Sequence, residues 1–318
     1  MSLRAESGLQ REQVAIEPHA LAATHLLQPG HRIYIGSGNI KEVHEERGGV
    51  KVGDEVIFLA SLEVTEPDSN PAILNESPLR EMESSFVISK PTTLAFSQAV
   101  CHSSAFLPAI TTICSTILGI PYAQLFSQDD RRALLLLRST TQFAKAIVQV
   151  LRIARPNLFI MTTIGPFERE VEEDELSAMA IELVQLGANY AIEHEAEDLV
   201  NHLRAALRGE RGEEEGEGQG EGGGGEGEEC GKDGIDFVII NGAGMLDGCE
   251  AELRDLLLPD GEGKIVQISN EDLFHLNSIA IPLKLRQIMA TLEQLLESGA
   301  HQAASFTSEI EASLLMKR

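Results

Sequence analysis

The feature that most constrains the fold is the stretch from residue 106 to 280. Short, uninterrupted apolar runs there alternate with segments of helical spacing. Leu134-Leu-Leu-Leu137 and Leu158-Phe-Ile-Met161 carry no alternating polar residues, so strands at these positions must be buried on both faces. Between them, residues 144–154 place Ile147, Val150, Leu151 and Ala154 on one helical face. The pattern continues with a helix over 176–186 that stops at Gly187, a strand at 190–192 and a helix over 196–207. It ends with a strand at 236–240, a helix over 249–258 and a strand at 264–268. Such alternation predicts an α/β domain, a parallel sheet with helices on both faces. A mostly apolar helix over 106–118 leads into it.

Residues 1–105 have a different texture, with short β-type stretches separated by turn signals. Val14-Ala-Ile16 and Arg32-Ile-Tyr-Ile35 read as strands, Gly36-Ser-Gly38 and Gly48-Gly49 as turns. Residues 50–57 read as a turn entering a strand, and Phe86-Val-Ile88 as a further strand before Pro91. Several short strands with little helix predict a small β barrel. Residues 65–78, with three prolines, read as a surface loop. Residues 281–318 form a C-terminal helical segment that could return to this barrel.

One segment stands outside both patterns. Residues 209–232 hold 11 Gly and 9 Glu among 24 residues, with a net charge of −7. Such a composition buries no apolar area and repels itself, so it reads as a disordered, solvated insertion. The whole chain carries 50 acidic against 25 basic residues, a formal net charge of −25. That charge disfavours nucleic acid and anionic membrane surfaces as partners. The absence of tryptophan and the 4% aromatic content argue against base stacking. Cys101, Cys114, Cys230 and Cys249 form no C-x-x-C pair, so no metal site is expected. With no leader pattern and no long apolar span, the expected location is the cytoplasm.

Ligands of an open parallel sheet bind beyond the carboxyl ends of its strands. After Leu137 the turn offers the hydroxyls of Ser139, Thr140 and Thr141 and the charges of Arg138 and Lys145. It can be a phosphate-binding turn or an ordinary capped helix start. After Met161 come Thr162 and Thr163, with Arg169 further on. No acidic residue stands at this strand end to hold a ribose diol, so these three suit a 2′-phosphate; an exposed salt bridge is the alternative role of Arg169. After Ile240, Asn241, Gly242 and Gly244 either permit close approach of a ring or ribose or form a plain strand-to-helix turn. After Ile268, Ser269 adds a hydroxyl. His102, His194, His275 and His301 stand singly, and no nucleophile elbow, Walker loop or H-E-x-x-H motif is present.

Four stretches resemble the medium-chain dehydrogenase/reductase superfamily, in its zinc-free quinone and enoyl reductase branch. They are 36–56, ending in Lys51-Val-Gly-Asp-Glu-Val56; 86–118, with Pro91-Thr-Thr-Leu94; 134–150; and 234–269 with its Asn-Gly turn. The likeness is nearest to the enoyl reductase domains of fungal polyketide synthases. It implies a GroES-like β barrel joined to a Rossmann-type doubly wound sheet, with a cleft between them. It implies NADPH and hydride transfer to an activated double bond of a small or acyl-carrier-linked substrate. The family's glycine-rich loop falls on Thr141-Gln-Phe-Ala144, where both terminal glycines are replaced and Phe143 is bulky. The resemblance supplies no catalytic proton donor. A non-catalytic relative that has lost NADPH binding is the alternative it leaves open.

Overall fold

The computed structural model describes residues 13–28, 31–43, 51–63, 80–83, 86–165, 171–193, 199–208, 234–241, 253–258, 263–268 and 281–298. The chain divides into two compact units, residues 1–110 with 273–318, and residues 111–272.

The first unit is built on five antiparallel strands, β1 (Gln13–Gln28), β2 (His31–Val43), β3 (Glu55–Glu63), β4 (Arg80–Glu83) and β5 (Val87–Ser89), in the order β4-β1-β2-β3-β5. Val14, Ile16, Tyr34, Ile40, Val56, Phe58 and Val87 form its core. Gly36-Ser-Gly38, expected as a turn, lies inside β2. A Cβ at Gly38 would stand 2.2 Å from the Glu17 carbonyl oxygen, so this glycine serves the close approach of β1 rather than a chain reversal. Ser37 Oγ, fully buried, donates to the Phe96 carbonyl at 2.8 Å. That bond fixes the start of helix α1 (Phe96–Thr112).

The helix begins ten residues earlier than its apolar run suggested, because 96–105 mixes Ser, Gln and His into its first turns. It then passes into a π-helical turn, Ile113–Ile117. By length and hydropathy, Phe96–Ile117 could cross a membrane, yet 83% of its apolar window is buried in the fold, which marks a core helix. Helix α5 (Ile281–Glu297) packs on β5, where the Glu293 carboxylate accepts from the Ser89 N–H at 3.0 Å.

The second unit holds a parallel sheet of β6 (Ala133–Leu137), β7 (Phe159–Ile164), β8 (Tyr190–Glu193), β9 (Phe237–Asn241) and β10 (Lys264–Ile268), in the order β10-β9-β6-β7-β8. Helices α2 (Gln142–Ala154), α3 (Glu173–Gln185) and α4 (Leu199–Arg208) connect the strands. Leu135, Leu137, Met161, Val238 and Ile240 face one side and pack with Leu199, Leu203 and Leu207 of α4. The alternate residues Leu134, Leu136, Ile160 and Ile239 face the other side and are equally buried, so both faces are covered. Helix α3 ends as its glycine predicted. Ala188 N–H donates to Leu183 O and Gly187 N–H to Val184 O, with Gly187 at φ +117°. The helix expected over 249–258 is described only from 253, as a short turn whose Leu257 bridges in parallel to Ile235. The Gly48-Gly49 turn, the 65–78 loop and the 209–232 insertion lie outside the described residues.

The strand order follows from the connections. The chain steps from β6 to β7 to β8 in one direction, then returns past β6 to β9 and β10 on the other side. Direction reverses between β6 and β9, and that boundary is the switch point at which such sheets bind ligands.

Candidate functional site

The turn after β6 and the end of β9 meet at this switch point. Arg138, the first residue of the turn, has φ +60°, the left-handed region that costs a side-chain-bearing residue about 1 kcal/mol or more. Two neighbours hold it there. Thr163, on β7, accepts the Arg138 N–H on its Oγ1 at 3.1 Å, and its carbonyl accepts the Ser139 N–H at 2.9 Å. Asn241, on β9, donates its amide to the Arg138 carbonyl at 3.2 Å and to Thr141 Oγ1 at 2.8 Å.

Thr141 is the N-cap of α2, in ordinary extended backbone at φ −74°, ψ 150°, and its Oγ1 also accepts the Ala144 N–H at 3.2 Å. No left-handed backbone is required at this position, so glycine is not demanded by conformation. The N–H groups of Gln142 and Phe143, which the first turn of any α-helix leaves without an intrahelical acceptor, remain as donors at the positive end of α2.

The nominated side chains are placed differently from expectation. Ser139 is fully buried and turns inward, donating to Leu136 O at 2.8 Å. Thr162 and Thr163 were expected beyond their strand, but β-branched residues extend strands readily, and β7 runs through both to Ile164. Both are fully buried, and Thr162 Oγ1 donates to Tyr190 O at 3.2 Å. Asn241 is the last residue of β9 rather than a residue beyond it. Its amide hydrogens go to the turn, so it is a clamp first. Lys145 is drawn away to α3, pairing with Glu182 at 2.8 Å. Ala144 is buried beneath the turn. Arg169, Gly242, Gly244 and Ser269 lie outside the described residues, as do His194, His275 and His301.

The backbone donors expected at this strand-to-helix turn fall on the N–H groups of Gln142 and Phe143, the first two residues of α2. The signal was present: a threonine immediately before a helical period is a capping signature, and a cap leaves those N–H groups facing outward.

The opposite, amino end of the sheet carries the strongest charge cluster among the described residues. Asp130, buried, accepts a two-pronged contact from Arg132, at 2.8 Å to each carboxylate oxygen, and a further bond from buried Arg155. Arg132 also stacks over Phe237, 4.9 Å from the ring centre. Burial alone would raise the Asp130 carboxyl, but the two guanidinium groups prevail and hold it at about 2, below its ordinary 3.8. Cys114 behaves oppositely: burial pushes its thiol up to about 12, with Arg155 pulling weakly downward. Since the thiolate is the reactive form, Cys114 is expected to resist iodoacetamide at pH 8 in the folded protein and to label only on unfolding. Mass spectrometry showing rapid native labelling of Cys114 would contradict this. No three His, Cys, Asp or Glu side chains converge on a metal position among the described residues.

No family profile and no curated protein matches the chain. Solved structures do, among them a probable oxidoreductase and an enoyl reductase. A probable oxidoreductase from Mycobacterium abscessus aligns with 92% of this chain and 81% of its own, at 13% identity and a TM-score of 0.50. The AibC structure aligns with 92% of this chain and 82% of its own, at 14% identity and a TM-score of 0.52. The CurK enoyl reductase is also similar, covering 91% of this chain and 79% of its own at 16% identity and a TM-score of 0.48. At such identities the likeness is one of fold: an α/β architecture with a GroES-like β unit and a Rossmann-type parallel sheet.

Proposed function

We propose that this chain is a reductase-type oxidoreductase that takes NADPH at the switch point of its parallel sheet and reduces an activated double bond of the enoyl or quinone kind. The observation that carries the reading is the turn after β6, held from both neighbouring strands, with the Gln142 and Phe143 N–H groups open at the start of α2. The donor set fits an anion through backbone rather than through the side chains first nominated. Gln142 and Phe143 would face the pyrophosphate, and Asn241 would keep the turn in place. When bound, NADPH supplies the hydride. The protein's contribution is to orient the dinucleotide and to hold charge on the pyrophosphate against the positive end of α2. We assign a small or acyl-carrier-linked substrate, of the kind reduced in polyketide synthesis, and a cytoplasmic setting.

A second reading, a non-catalytic relative, is favoured by one observation. Ser139, Thr162, Thr163 and Asn241 all spend hydrogen-bonding capacity inside the fold. Titration of the full chain with NADPH, followed by nucleotide fluorescence, separates the two. The reductase reading expects saturable binding and NADPH consumption in the presence of an enoyl thioester or a quinone. No binding up to about 1 mM, an affinity near −4 kcal/mol, ends that reading and leaves the second.

A further inference from the structure

The two segments that connect the units are fastened at consecutive residues, Ser89 and Lys90. The chain leaves the first unit within α1 and re-enters it before α5. β5 stands at one end of the antiparallel order, paired to β3. Lys90, the residue after β5, donates its N–H to the Glu55 carbonyl at 2.9 Å. Bonds alternate along an antiparallel pair, so the Ser89 N–H points away from β3. That outward N–H donates to the Glu293 carboxylate of α5 at 3.0 Å, the acceptor that a further strand would have supplied. Leu292, Leu295 and Leu296 beside Glu293 are buried, so α5 is firmly packed there.

Lys90 fastens the other segment. Its ammonium donates to the Pro91 carbonyl at 3.1 Å and to the Leu94 carbonyl, and it pairs with Glu55 at 2.9 Å. It also stands 5.1 Å from the centre of the Phe96 ring, at the start of α1. An ammonium has three hydrogens, and each has an acceptor here. With the side chain 3% exposed, losing one of these partners would not be offset by water. The lead into α1 therefore moves with Lys90, and one planar peptide joins Lys90 to Ser89.

We propose that Ser89 and Lys90 form a coupling point, through which the seating of α5 on β5 sets the order of the α1 start. Glu293 and Lys90 are its positioning residues. The coupling is independent of the NADPH reading, and any movement of one unit against the other passes through the two segments it joins.

Hydrogen exchange of the full chain, resolved to single amides, tests it. The reporters are the N–H groups of Ser89, of Leu94, bonded to Pro91 O at 3.1 Å, and of Ala99, bonded to Ala95 O at 2.9 Å. Amides of β1, separated from β5 by β3 and β2, serve as the control. Glu293→Ala is expected to speed exchange at Leu94 and Ala99 about tenfold or more, as at Ser89, and to leave β1 unchanged. Glu293→Gln keeps an acceptor oxygen and is expected to stay within about threefold of wild type at all three. Lys90→Met is expected to speed exchange at Leu94 and Ala99, and adding Glu293→Ala to it is expected to change them little further. Unchanged exchange at Leu94 and Ala99 in Glu293→Ala, whether or not Ser89 responds, makes the contact local and overturns the coupling. Equal acceleration in β1 shows general loosening of the unit and overturns it too. If Lys90→Met does not fold, the two Glu293 variants decide by these same outcomes.

Discussion

Asp130→Asn is expected to destabilise the parallel-sheet unit by about 3 kcal/mol at neutral pH, because removing one partner of a buried ion pair leaves the other uncompensated. The two arginines respond differently. Arg132 is partly exposed and can turn toward water, whereas the Arg155 side chain, at 7% exposure, cannot. An asparagine still offers one acceptor oxygen, but its amide hydrogens face guanidinium N–H groups, donor against donor. The double variant Asp130→Asn with Arg155→Met should recover part of the loss, since it removes the buried guanidinium that the single variant leaves uncompensated. The pH dependence follows from the lowered carboxyl. Its folded value is about 2 against an ordinary 3.8, so the ionised form stabilises the fold above about pH 4. That contribution disappears as pH falls from about 4 to about 2. Denaturant titration at pH 7 and across this acid window checks both statements. Wild type should lose more stability on acidification than Asp130→Asn does. Equal losses, or a midpoint unchanged at pH 7, would show the cluster to be energetically idle.

Gly38→Ala is expected to cost the antiparallel unit about 3 kcal/mol, the upper range for forced overpacking. The added methyl would meet backbone, with the Glu17 carbonyl oxygen at 2.2 Å, its carbon at 2.9 Å and Pro18 Cα at 3.0 Å. Backbone in a paired strand cannot swing aside as a side chain can, so β1 must move off β2. The pairing is already irregular there, with register shifts on either side of Glu17 and Pro18. A denaturation midpoint indistinguishable from wild type would mean that β1 relocates freely and that the glycine is incidental. Position 38 also shows how a local signal misleads. Gly-x-Gly between apolar residues reads as a turn from composition alone, whereas a strand crossing closely over another demands the same residue for a different reason.

The candidate site was legible in its location and illegible in its detail. The run at Leu134 to Leu137, the helical period after it and the Asn-Gly pair after Ile240 marked the strand ends where a ligand should sit, and the strand order puts these ends side by side. The roles of single polar residues were not visible. Thr162 and Thr163 could be donors beyond a strand or interior members of it, and threonine suits both. Ser139 could point to a phosphate or back to the Leu136 carbonyl, and nothing local decides between them.

What the sequence by itself determined is the parallel sheet and the end of α3. Strands buried on both faces admit only apolar runs, and a left-handed residue after a helix selects glycine, so composition and position leave little choice. What only the tertiary structure decided is the direction of each hydrogen bond at the turn. Asn241 reaches Arg138 and Thr141 across separations of 103 and 100 residues. Those partners become neighbours solely because β9 returns to lie beside β6, and a chain read residue by residue holds no local trace of that return.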